Sequence, residues 1–89
     1  MAVLAVTHEV EDYDNWRKVY DDNDDIREKY GIESGRVFQD VDNSNMITVM
    51  ADGELEALKS FASSTDLYEA MKASGVVGLP KTTFLQDVS

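Results

Sequence analysis

The chain has no cysteine, a single histidine, proline and tryptophan, and only eight basic side chains. Without cysteine there is no disulfide, no thiolate nucleophile and no cysteine-based zinc or iron-sulfur site, and one histidine cannot build a His-rich metal centre. No metal and no other cofactor is expected. Eighteen acidic residues give a formal net charge of -10, which repels phosphate backbones and anionic lipid surfaces, so neither nucleic acid nor membrane is expected as a partner. No apolar run approaches the ~18 residues of a membrane span, and the opening Met1-Ala2-Val3-Leu4-Ala5-Val6 has no basic region before it. The expectation is a soluble, cytoplasmic protein.

What is present is 89 residues, 43% of them apolar: enough for one small domain over 1–89 and too little for two. No catalytic motif stands out, and architecture reads more clearly than activity.

Residues 2–8 are β-prone and apolar at consecutive positions, predicting a strand buried on both faces. From Asp12 the period changes: Tyr13, Trp16, Val19, Tyr20, Ile26 and Tyr30 recur three and four apart, predicting one amphipathic helix. Glu9, Glu11, Asp12 and Asp14 crowd its positive end, where Asp12 can cap free N–H groups, and Gly31 ends it. Two further strands are predicted over Ser34–Asp40 and Asn45–Ala51, joined by Asp40-Val41-Asp42-Asn43-Ser44-Asn45, whose short polar side chains favour a tight turn. Leu55, Leu58, Phe61 and Ala62 mark a second helix, which Ser63-Ser64-Thr65-Asp66 interrupts before it resumes with Leu67, Ala70 and Met71 and ends at Ser74-Gly75. Gly75 to Pro80 reads as a loop, and Thr82-Thr83-Phe84-Leu85 as the last strand.

Strand, helix, strand, strand, helix, strand is the split βαβ order. The fold class is therefore α+β, a ferredoxin-like β-α-β-β-α-β with a four-stranded antiparallel sheet, helices on one side and strands one and three central. Those two strands are apolar at both alternations, so the helix-free face needs a cover. A standard interface of ~1,600 Å², a little over half of it apolar, gains roughly 20–25 kcal/mol gross at ~25 cal/mol per Å² against an association cost of ~4–15 kcal/mol. A homodimer through the sheet face is expected.

Val6-Thr7-His8-Glu9-Val10-Glu11-Asp12-Tyr13-Asp14-Asn15-Trp16 and Gly75-Val76-Val77-Gly78-Leu79-Pro80 carry a resemblance covering nearly the whole chain. It is similar to the small dimeric α+β barrel proteins, which include antibiotic biosynthesis monooxygenase-like domains. The resemblance implies two sheets packed face to face into an eight-stranded barrel, with a pocket between sheet and helices in each subunit. Enzymes of that family typically also use tryptophan, asparagine and histidine in later elements, whereas here Trp16 lies in the first helix, His8 in the first strand, and Met46 to Met50 offer no polar catalytic group. No catalytic residue is transferred.

His8 is the one side chain that titrates near neutrality and is the candidate proton-transfer group, alternatively a histidine satisfied at a strand end. Tyr13, Trp16 and Tyr20 share a stripe that suits an aromatic pocket wall or an ordinary core, and with Phe38 and His8 they form the candidate ligand-binding set. Arg36 and the Val76-Val77 segment are candidates for the pocket rim. Asp21-Asp22-Asn23-Asp24-Asp25 spreads around a helix axis and reads as a solvated face, with Asp14–Lys18 and Asp25–Lys29 as i,i+4 pairs. The Asp40 turn lacks the glycine and terminal glutamate of a calcium loop. Three readings stay open: a binding protein for a small hydrophobic or aromatic molecule, a cofactor-independent monooxygenase or cyclase-like enzyme on an aromatic substrate, and a structural subunit with a filled core.

Overall fold

Strict alternation along the first strand organises the molecule. In a computed structural model describing residues 1–89, β1 (Ala2–Val10) buries Ala2, Leu4, Val6, His8 and Val10 on one side. The intervening Val3, Ala5 and Thr7 are half-buried, so the strand expected to be covered on both faces is covered on one within the chain. The remaining elements are α1 (Tyr13–Asp22), α2 (Asp24–Lys29), β2 (Ser34–Gln39), β3 (Met46–Gly53), α3 (Leu55–Ala62), α4 (Thr65–Ala73) and β4 (Val76–Gln86). The sheet order is β2-β3-β1-β4, antiparallel throughout, with β1 and β3 central as the split βαβ order requires.

Two expected elements change. The single helix over 12–30 is two, parted at Asn23, whose side chain donates to the Val19 carbonyl (2.7 Å) and whose backbone N–H is shared between the Val19 and Tyr20 carbonyls. The expected loop over Gly75–Pro80 is part of β4: Thr7 pairs with Lys81 and Glu9 with Val77, so Gly78, Leu79 and Pro80 bulge out opposite His8 alone. Gly78 takes a positive φ of 74° there, and a bulge is where a strand tolerates a proline that has no N–H to give. The ion pairs change too. Instead of Asp14–Lys18 and Asp25–Lys29, the structure forms Arg17–Asp21 (3.2 Å), Arg27–Asp24 (3.6 Å) and Lys29–Asp66 (3.3 Å). The break at Asn23 lets Lys29 and Tyr30 reach α4, where both donate to the Asp66 carboxylate.

Other local expectations hold. Asp12 caps α1 by accepting from the Asp14 N–H, and Ser64 separates α3 from α4 and caps the latter through the Leu67 N–H. Asp40 accepts from the N–H groups of Asp42 and Asn43 and closes the β2–β3 turn.

All four helices lie on the face of the sheet that carries Leu4, Val6, Val49 and Ala51. The core beneath them is divided. One cluster joins Ala2, Leu4, Val6 and Ala51 to Leu58 and Phe61, and the other joins Val10 and Ile47 to Trp16. His8 stands on β1 between the two. No helix is long and apolar enough to cross a membrane.

Candidate functional site

A cavity of about 80 Å³ occupies the seam between the two core clusters. Its floor is the sheet, through Leu4, Val6, His8, Val49 and Ala51. Trp16, Val19, Tyr20 and Asn23 of the α1 side and Ile26 and Arg27 of α2 form one wall, and Phe61, Leu67, Ala70, Met71 and Ser74 close the other. The floor residues other than Val49 are buried, whereas Tyr20, Asn23, Arg27, Leu67 and Met71 are half-buried. The opening therefore lies between α1–α2 and α4.

His8 is 5% exposed, and neither ring nitrogen has a hydrogen-bond partner. Buried polar atoms are normally paired, because losing water without replacement costs about 1–3 kcal/mol. Burial also disfavours the charged imidazolium and pulls its pKa below the usual histidine value. At neutral pH His8 is thus an uncharged imidazole whose N–H donor and lone-pair acceptor are both unpaired, on a residue that lines a cavity otherwise mostly apolar. The alternative of a histidine satisfied by nearby acids or backbone does not describe it.

The aromatic stripe assembles as a stack. Ring centroids of Tyr13 and Trp16 are 6.0 Å apart, those of Trp16 and Tyr20 5.1 Å, and the His8 ring is tilted against Trp16 at 5.7 Å. The Tyr20 hydroxyl extends over Gly35, where a Cβ would come within 2.9 Å of it. Arg27 completes the stack, its guanidinium carbon 3.8 Å from the Tyr20 ring centre.

Of the side chains expected at a pocket, the structure brings His8, Trp16 and Tyr20 to the cavity surface and places Tyr13 behind Trp16. Phe38 and Arg36 are elsewhere: both alternate with Val37 onto the helix-free face, where Arg36 lies 5.7 Å from the Phe38 ring. Period-two geometry decides this, since Val37 packs beneath the helices. Val76 and Val77 are also outside the cavity lining. Arg27 is the wall residue that the sequence reading passes over. Its spacing from Trp16, Tyr20 and Asn23 is that of one helical stripe, but its charge reads as solvent-facing.

The fold is shared with solved structures at low sequence identity. A protein from Bordetella bronchiseptica described provisionally as an antibiotic biosynthesis monooxygenase superposes with a TM-score of 0.81 at 12% identity, over 99% of this chain and 98% of its own. SnoaB, a cofactor-independent oxygenase from Streptomyces nogalater, gives 0.80 at 9% identity over 99% and 93%. A Caulobacter crescentus CB15 protein with the same provisional description as the first gives 0.76 at 17% identity over 99% and 90%. No protein-family model matches the sequence, and no curated protein matches it. The chain has the ferredoxin-like fold of the antibiotic biosynthesis monooxygenase-like proteins, as the sequence resemblance implies.

Proposed function

We propose that the protein binds a small hydrophobic or aromatic molecule between its sheet and helices, and does so as a homodimer. The observation that carries the binding reading is His8: a buried imidazole with both nitrogens unbonded, on the wall of an open apolar cavity. A filled structural core leaves neither the space nor the unpaired atoms. The ligand would supply the hydrogen bond that the imidazole lacks while its carbon skeleton lies against Trp16 and Tyr20.

Self-association is supported by the helix-free face. Val3, Ala5, Met46, Met50, Phe38 and Leu85 alternate onto it, and in its middle the Thr7 and Thr48 hydroxyls hydrogen-bond each other at 2.9 Å. A second sheet can therefore cover that pair without orphaning either hydroxyl.

Trp16 is the sole tryptophan, so its emission reports on the cavity alone. Titration with small aromatic and alicyclic alcohols is expected to give a saturable change in Trp16 fluorescence that His8→Phe removes. No saturable change with any of them, or an unchanged response in His8→Phe, contradicts the reading.

The second reading is a cofactor-independent oxygenase, favoured by the likeness to SnoaB together with an uncharged histidine in the cavity. In that role His8 takes a phenolic proton, and the electron-rich ring that results is the species dioxygen attacks. Trp16 and Tyr20 orient the ring. Oxygen uptake with a panel of hydroxyquinones tests it: turnover that His8→Ala lowers at least about a hundredfold supports general-base catalysis, and turnover that His8→Ala leaves unchanged removes His8 from the chemistry.

A further inference from the structure

Arg27 stands out in a chain with eighteen acidic and eight basic residues. It is the one charged residue on the cavity wall. Its side chain is 15% exposed, and its single ionic contact is Asp24 at 3.6 Å, longer than a hydrogen bond, to a carboxylate that is 83% exposed. One face of the guanidinium lies on Tyr20. Its five N–H donors point outward in the guanidinium plane, the geometry that meets a carboxylate or phenolate edge-on.

Cavity size limits what can sit there. About 80 Å³ is roughly half the ~150 Å³ engineered cavity that takes benzene. A single ring entering between α1–α2 and α4 therefore more than fills the enclosed space, and its outer edge with any substituent there stays in the opening, whose wall includes Arg27. A fused polycycle does not fit without displacing the walls. Resting on the ligand-binding reading above, we propose that the ligand is a monocyclic aromatic acid, its carboxylate held by Arg27 at the opening and a hydroxyl or carbonyl at its far end hydrogen-bonded to His8 on the floor.

The charge of the whole chain sharpens the inference. At a net charge of -10 an anion is repelled unless a local cation receives it, so an acid that binds better than its neutral amide does so through Arg27. Isothermal titration of the intact protein with para-hydroxybenzoate, para-hydroxybenzamide and benzoate tests each contact. The acid is expected to bind about tenfold tighter than the amide, with the preference shrinking as salt is raised. Arg27→Gln should abolish that preference, and benzoate should bind more weakly than para-hydroxybenzoate for lack of a partner for His8. Equal binding of acid and amide to the wild type overturns the role of Arg27 while leaving a ligand-binding pocket in place. Absence of binding by all three overturns the pocket reading as well. The wild-type comparison decides the matter even where a variant does not fold.

Discussion

At the scale of the residue, His8 carries the buried side-chain polar atoms that lack a partner. Its two unbonded nitrogens make it a destabilising occupant of its position, so His8→Phe, which removes both and fills part of the cavity, is expected to raise stability by about 1–3 kcal/mol in urea denaturation at pH 7.5. A loss of stability would mean the nitrogens are satisfied in solution. The pH dependence has a defined sign. The folded-state pKa of His8 lies below its unfolded value near 6.5, so on acidification the unfolded chain binds a proton that the folded protein refuses. Stability is fully held above about pH 6.5 and falls as the pH drops toward the depressed folded-state pKa. Plotted as the difference between wild type and His8→Phe, which cancels the many carboxylates, the gap should widen between pH 7.5 and 5.5. A constant gap would show that His8 titrates normally. Alternation along 2–8 places His8 on the same side as Leu4 and Val6, so its neighbours along the strand are legible in the sequence. That both nitrogens would lack partners is not, because it depends on which side chains converge from α1 and α4.

Among the elements, caps and breaks decide the geometry. Ser64 accepts from the Leu67 N–H (3.1 Å) while donating to the Phe61 carbonyl (2.7 Å), tying the end of α3 to the start of α4. Ser64→Ala is expected to cost about 1 kcal/mol, or roughly 4–8 °C in melting temperature for a chain of this size. A change under 1 °C would show that neighbouring groups replace the cap. This break is readable because four capping residues in a row interrupt the apolar period. The break at Asn23 is hidden by a hydrophobic period that runs on through Ile26 and Tyr30, and it shows only in the local bonds, where the Asn23 side chain and backbone N–H both donate to the Val19 carbonyl. The β4 bulge is misread for the opposite reason. Gly78 and Pro80 carry strong local signals for a loop, but pairing with β1 on both sides of them keeps the segment in the sheet. Local preference loses wherever a central strand supplies the partner. Arg27 escapes because charge on an amphipathic helix is ordinarily the solvent side, and only the packing of Tyr20 beneath it shows otherwise.

For the whole molecule, four helices on one face leave the other uncovered within the chain, which is the basis of the proposed dimer. Met50→Glu, in the midst of the helix-free face beside Ala5, should convert the proposed species of twice 10.0 kDa into single chains at micromolar concentration in sedimentation equilibrium, with the fold retained by circular dichroism. A wild type that sediments as single chains contradicts the dimer outright. The same asymmetry creates the cavity, since helices from two halves of the chain meet over one sheet and leave a seam at His8. As the chain has one histidine, ¹⁵N resonances of its imidazole observe that seam without ambiguity. On saturation with para-hydroxybenzoate, one His8 ring nitrogen is predicted to shift as it gains a hydrogen bond. Imidazole shifts that stay unchanged at saturating ligand would contradict the account at its centre.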